Sequence, residues 1–165
     1  MKSVLLSALL LAPLLTLTPP AQAADVSCTG TLNGRTLNSD VKVRNGATCT
    51  LVNSRVNGDV KVERGGQIVI RNSNIDGDIE GDDGFRAVTV TGSVVNGDIE
   101  LKEGGSAHIE NVRVNGDLEL KRNSGTLRVT RVSVNGDLEC EDNRAAPTGS
   151  QNRVTGNREG QCRAL

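Results

Sequence analysis

Five near-copies of one tripeptide recur along this chain at an almost constant interval. They are Asn57-Gly58-Asp59, Asp76-Gly77-Asp78, Asn96-Gly97-Asp98, Asn115-Gly116-Asp117 and Asn135-Gly136-Asp137. Successive glycines are 19, 20, 19 and 20 residues apart, and a degenerate sixth copy, Asn38-Ser39-Asp40, lies 19 residues earlier. The segments between the copies align too. A short alternating run follows each Asp, as in Val60-Lys61-Val62, Ile99-Glu100-Leu101 and Leu118-Glu119-Leu120. A polar turn comes next, then a second alternating pair (Ile68 and Ile70, Val88 and Val90), then one apolar residue before the next tripeptide (Val56, Ile75, Val95, Val114, Val134). Alternation with period two marks strands with one buried face. Three such strands per repeat cannot form a core alone, so each repeat must stack on its neighbours.

The fold class implied is all-β: a single-domain parallel β-solenoid of about six coils of 19–20 residues. Uneven spacing of the apolar positions (60, 62, 68, 70, 75) favours a right-handed, three-faced β-helix over a strict hexapeptide solenoid. Helical packing is excluded by Gly and Asn scattered through every repeat and by the absence of a 3.6-residue period. Phe85 is the sole aromatic residue, so Val, Ile and Leu must fill a narrow core.

The ends set the compartment. Met1-Lys2, an apolar run from Val4 to Leu15 and Ala21-Gln22-Ala23 make a charged start, a short hydrophobic region and an A-x-A cleavage site. This predicts a signal peptide over residues 1–23 and an exported, periplasmic or secreted product. Residues 24–37 and 141–165 read as caps around repeats spanning 38–140. The product carries 18 Lys and Arg against 20 Asp and Glu, a net charge of −2. No basic excess draws it to nucleic acid, and nothing after residue 23 suits a membrane span.

Four cysteines in an exported chain read as a disulfide framework. Cys28 and Cys49 are 21 residues apart and Cys140 and Cys162 are 22 apart, each close to one coil. Stacked coils lie about 4.8 Å apart, inside the Cα window of a disulfide, whereas crossed pairings would span more than four coils. The spacing therefore predicts Cys28–Cys49 and Cys140–Cys162.

The run Val-Asn-Gly-Asp-Leu-Glu, with an apolar pair about eight residues later and another Val-Asn-Gly-Asp, resembles the coils of bactofilins, polymer-forming bacterial proteins built as right-handed β-helices with x-G-D-I segments. The resemblance covers roughly residues 37–140 and implies that fold with a scaffold-like, non-catalytic role. Against filament growth, the off-pattern ends predict a monomer or weak self-association.

Three sets of residues invite a functional reading. Asn57, Asn96, Asn115 and Asn135, with a second column at Asn53, Asn72 and Asn111, read as a turn ladder of stacked amides. Gly58, Gly97, Gly116 and Gly136 read as supplying a left-handed turn conformation. Asp78, Glu80, Asp98, Glu100, Asp117, Glu119, Asp137 and Glu139 form an outward acidic stretch. Like charges at that spacing repel by roughly 0.9 kcal/mol per pair in water. Lys102, Lys121 and capping of turn N–H groups would relieve this, or else a weakly bound cation or a basic partner. His108, the only histidine, falls on an outward strand position without a nucleophile motif. No metal site, cofactor or catalytic residue is expected. The reading is an exported non-enzymatic structural or interaction protein whose partner is an unidentified protein or envelope component. The alternative is a carbohydrate-active or cation-dependent β-helix enzyme.

Overall fold

The computed structural model describes residues 24–165, so the expected signal peptide lies outside the described residues. The described chain is a parallel β-solenoid of about seven coils with no helix. Each coil passes through three sheets. Sheet A has eight strands: Val26–Ser27, Val41–Val43, Val60–Val62, Ile79–Gly81, Ile99–Lys102, Leu118–Lys121, Leu138–Glu141 and Arg158–Gly160. Sheet B has six: Gly30–Asn33, Thr48–Val52, Gln67–Arg71, Ala87–Thr91, Ser106–Glu110 and Leu127–Thr130. Sheet C has seven two-residue strands: Thr36–Leu37, Arg55–Val56, Asn74–Ile75, Val94–Val95, Arg113–Val114, Ser133–Val134 and Arg153–Val154. Every pairing is parallel and joins equivalent positions one coil apart, for example Ile79 with Ile99 and Val95 with Val114.

The coil count is about seven, where the repeat suggested six. Residues 24–37 supply a strand to each sheet, and Ala24-Asp25-Val26 is in register with Ser39-Asp40-Val41. At the other end Thr155-Gly156-Asn157 holds the place of a tripeptide, between Arg153–Val154 and Arg158–Gly160. The N-terminal segment is therefore a coil of all three sheets, and the C-terminal segment adds strands to sheets C and A and meets sheet B through the single Arg128–Thr148 bridge, both with substituted turn residues.

The inward side chains of all three sheets form one column. Val41, Val60, Ile79, Ile99, Leu118 and Leu138 stack on sheet A, and each is fully buried. One coil breaks this pattern of side-chain sizes: Gly81 stands where its neighbours carry Val62 and Leu101. The Phe85 ring is buried beside it, and a Cβ added to Gly81 would sit 2.7 Å from that ring. The lone aromatic thus fills the volume that one missing side chain leaves, which close packing requires.

Coil length varies at one edge only. From sheet B to sheet C, and from sheet C to the next sheet A, the connections keep the same length from coil to coil. The extra residue of the 20-residue coils enters between sheets A and B, as in 82–86 compared with 63–66. In the first coil Val26 stacks on Val41 only 15 residues away, and Cys28 leads almost directly into sheet B. The shortening falls on the same edge. Both disulfides form as the spacing predicts, Cys28–Cys49 with Cα atoms 5.5 Å apart and Cys140–Cys162 with 5.2 Å. All four cysteines are buried.

Candidate functional site: the charged strand face

The tripeptide turn joins sheet C to sheet A, and its three residues do three different things. The first position carries the expected ladder. Asn57 Nδ2 donates to Asn38 Oδ1 at 2.7 Å, Asn115 Nδ2 to Asn96 Oδ1 at 2.8 Å, and Asn135 Nδ2 to Asn115 Oδ1 at 3.1 Å. Asp76 interrupts the series because a carboxylate accepts and cannot donate to Asn57. Arg55 closes the gap: its Nε donates to Asn57 Oδ1 at 3.0 Å and its Nη2 to Asp76 at 2.7 Å. Asn96 then donates to Asp76 Oδ1 at 2.9 Å, and the column continues.

The glycine at the second position differs from expectation. Gly58, Gly97, Gly116 and Gly136 are not among the positive-φ residues. What they avoid is a collision. A Cβ on Gly116 would overlap Asp98 Oδ1 and lie 2.9 Å from the Gly97 carbonyl oxygen. Left-handed conformations instead mark the other two edges. Between sheets B and C they fall on Asn53, Asn72 and Asn111, and Arg131 also adopts φ 55° there. The second Asn column is thus explained by its φ of 48–54°, which Asn tolerates better than most residues.

The third position forms a carboxylate ladder. Asp78 N donates to Asp59 Oδ1 at 3.0 Å, Asp98 N to Asp78 Oδ1 at 2.8 Å, Asp117 N to Asp98 Oδ1 at 2.7 Å, and Asp137 N to Asp117 Oδ1 at 2.7 Å. Asn157, which is uncharged, closes the series by donating its N–H to Asp137 Oδ1 at 2.7 Å. One oxygen of each aspartate is therefore committed to the next coil.

On the outer face of sheet A the glutamates stack directly: Glu80 on Glu100, Glu100 on Glu119, Glu119 on Glu139. Lysines weave between them. Lys61 Nζ lies 3.1 Å from Glu80, Lys102 lies 2.6 Å from Glu100 and 3.0 Å from Glu119, and Lys121 lies 3.3 Å from Glu119 and 2.5 Å from Glu139. Lys102 and Lys121 thus hold the place a bridging cation would take. Hydrogen bonds donated to the facing glutamates raise all three lysines above their ordinary pKa: Lys61 to Glu80, Lys102 to Glu100 and Lys121 to Glu139. Burial pushes Glu119 upward, but the hydrogen bonds and charges of Lys102 and Lys121 outweigh it and leave this carboxyl below its usual range.

His108 sits on sheet B, stacked between Thr89 and Arg128. Its Nε2 lies 3.0 Å from Glu110 Oε2, and Arg131 pairs with the same carboxylate. The histidine contact first, and the arginine charge after it, hold Glu110 below its ordinary pKa. No nucleophile approaches this histidine through a side-chain hydrogen bond among the described residues.

Two further ladders lie outside the tripeptide. Ser54, Ser73 and Ser93 are buried between sheets B and C. Ser73 Oγ accepts from Ser54 N at 3.1 Å and donates to the Arg71 carbonyl at 2.8 Å. Asn123 and Asn143 are buried between sheets A and B. Asn123 Oδ1 accepts from Gly104 N at 3.0 Å, and Asn143 Oδ1 accepts from Asn123 N at 2.9 Å. Ser54, Ser73 and Ser93 recur three residues before successive tripeptides, and Asn123 and Asn143 eight residues after the first residue of theirs, so both ladders keep the coil interval. A depression of about 500 Å³ lies over the turns from sheet A to sheet B, lined by Asn45, Glu63, Arg64, Asp82 and Asp83, none of them from the eight-carboxylate stretch. Among the described residues no group of three or more His, Cys, Asp or Glu is placed to hold a metal ion. No helix among them is long and apolar enough to cross a membrane.

Comparison with protein-family models, with curated proteins and with solved structures gave no match in any of the three. The class is set by the fold alone, a disulfide-clamped parallel β-solenoid.

Proposed function

We propose that this chain is an exported, non-enzymatic structural or interaction module that presents a rigid, periodic surface to a partner in the cell envelope or outside it. The single observation that carries this is the use made of the carboxylates. A carbohydrate-active enzyme works with a pair of acidic groups free to exchange protons or attack a sugar. Here each tripeptide aspartate from Asp59 to Asp137 gives one oxygen to a backbone N–H, and Glu80, Glu100, Glu119 and Glu139 are each paired with a lysine. Two disulfides, one in the first two coils and one near the C-terminus, support an oxidising compartment, where such bonds persist. The repeated x-G-D-I/L turn supports a scaffold role of the bactofilin kind. The test is fractionation of the producing cell with cross-linking in place, alongside assays of the purified protein on acidic and neutral polysaccharides. The expected result is an oxidised protein starting at Ala24, recovered outside the cytoplasm and cross-linked to an envelope component. Turnover of a polysaccharide that is lost in Glu100→Gln or Glu119→Gln would reject the non-enzymatic reading.

A further inference from the structure

The charges of this molecule are sorted by face. From each tripeptide Asp through sheet A to the start of the next sheet B strand, the described chain carries eighteen Asp and Glu against eleven Lys and Arg, a balance of −7. From each sheet B strand through sheet C to the next tripeptide Asp, it carries seven Arg against Asp76 and Glu110, a balance of +5, with no lysine. The near-neutral total hides two surfaces of opposite charge.

The cations on the two surfaces also differ in kind and in occupation. All four lysines of the described chain lie on sheet A and are paired with carboxylates there. On the other surface Arg55 and Arg131 pair with Asp76 and Glu110. Among the described residues Arg35, Arg71, Arg113, Arg128 and Arg153 make no ion pair, and all five are exposed. Arginine is the side chain whose planar fork fits a carboxylate with two parallel hydrogen bonds. Unused carboxylate oxygens stand at the start of the sheet A face: among the described residues, Oδ2 of Asp78, Asp98, Asp117 and Asp137 has no hydrogen-bond or ion-pair partner, Oδ1 alone being engaged.

We propose that the arginine surface of one molecule docks laterally on the acidic sheet A face of a second copy of this chain. The geometry favours a copy over an unrelated polyanion because both surfaces are ruled by one coil spacing. Arg113 and Arg153 sit two coils apart in one register column, through Ser133. The aspartates repeat coil by coil from Asp40 to Asp137 and the sheet A glutamates from Glu80 to Glu159, so side-by-side solenoids match arginine to carboxylate without adjustment. Within one molecule Arg55 and Arg131 are the arginines of this surface that find a carboxylate, and the other five are left without one among the described residues. A face about 34 Å long and ~15 Å wide, from the coil and strand spacings, buries roughly 1,000 Å² in total, at the weak end of specific interfaces. The contact is therefore reversible and governed by salt. It is also heterologous, so each bound copy leaves a free surface for the next.

The proposal goes beyond the envelope role and is tested apart from it, on the purified oxidised protein by sedimentation velocity. At about 10 mM salt, where the screening length is ~30 Å, sedimentation coefficients rise with protein concentration; at about 0.3 M salt they return to the monomer value. Arg113→Gln with Arg153→Gln weakens low-salt association about tenfold, the effect of two exposed ion pairs. These side chains are exposed and unpaired, so circular dichroism and disulfide mapping should match the parent. Mixed with the parent, this double variant shortens the assemblies, since it still offers an acidic face but blocks further growth. A monomer at every concentration in low salt would overturn the proposal. So would association indifferent to both substitutions. Association that appears only when heparin is added would overturn it as well, and would assign the arginines to an external polyanion.

Discussion

Replacing Gly116 by alanine tests the tripeptide turn at its tightest point. The added Cβ would displace the Asp98 carboxylate from the Asp117 N–H, a hydrogen bond of 2.7 Å. Losing a charge-assisted hydrogen bond to a partly buried N–H costs about 2 kcal/mol. The 2.9 Å approach to the Gly97 carbonyl adds about 1 kcal/mol, because backbone must shift. The expected loss is therefore about 3 kcal/mol, or roughly 6–12 °C in Tm for a chain of this size. Asp98→Ala alone should cost about 2 kcal/mol, since it breaks the same bond. The double variant should cost about 3 kcal/mol rather than 5, a coupling of ~2 kcal/mol in a double-mutant cycle. Urea denaturation with both disulfides intact measures all three. Gly116→Asn separates contact from conformation. If the glycine were needed for a left-handed turn, Asn would be tolerated better than Ala, because Asn adopts positive φ more readily. A collision makes Asn at least as harmful. Gly65 is the control: its φ is 69° and an added Cβ meets nothing closer than 3.4 Å, so Asn should be milder there than Ala by ~1 kcal/mol. Finding Gly116→Asn more stable than Gly116→Ala would refute the contact argument.

Three more outcomes are expected. Replacing Cys28 and Cys49 together by Ala should lower stability by about 2–4 kcal/mol, and hydrogen exchange should show faster opening in the first two coils while Ile99 and Leu118 stay protected. The depressed carboxyl of Glu119 contributes stability that is present above its unfolded pKa and lost as pH falls through the lower folded value. The raised Lys61, Lys102 and Lys121 contribute stability that is full below their unfolded pKa and lost as pH rises through the higher folded values. A melting series against pH should therefore show a plateau between the two ranges, and Glu119→Gln should flatten the acid side; an unchanged acid side would contradict the lysine weave. Phe85→Ala should cost about 3–5 kcal/mol by opening a cavity, and adding Gly81→Val to that variant should recover at least ~1 kcal/mol in urea titrations, although Gly81→Val alone is harmful.

The solenoid was legible in the sequence because coil-on-coil hydrogen bonding forces equivalent residues to recur, and a recurrence is visible without coordinates. The disulfide pairing followed from the same spacing. The number of coils was not, since the end turns keep position without keeping composition: Ala24-Asp25 and Thr155-Gly156-Asn157 stack in register yet lack the Asn-Gly-Asp signature. A period tells which residues meet one another but is silent about backbone angles. That is why the Gly column reads as conformational when Asp98 shows it to be steric, and why positive φ falls instead on Asn53, Asn72 and Asn111. Of the candidate face, the stacked carboxylates were visible, and Lys102 and Lys121 stood at a matching offset. The arginine surface was not: Arg113 and Arg153 share one offset, but Asn74, Val94 and Ser133 hold that position in other coils, and Arg35 and Arg71 stand at offsets of their own, so no arginine period shows.

The connection from sheet A to sheet B, where all variation in coil length collects, gives the molecule a seam. Amide, serine or carboxylate ladders fasten the other two edges, so a residue gained there would break a row of bonds, whereas at the seam the Asn123 and Asn143 ladder is confined to the C-terminal coils. A residue gained at the seam leaves every strand in register, as residues 82–86 already show. Additional segments entering at the seam would emerge in single file, one address per coil, about 4.8 Å apart. Such a chain can grow in two independent ways: by whole coils along its axis, which changes its reach, and by grafts along the seam, which change what it displays.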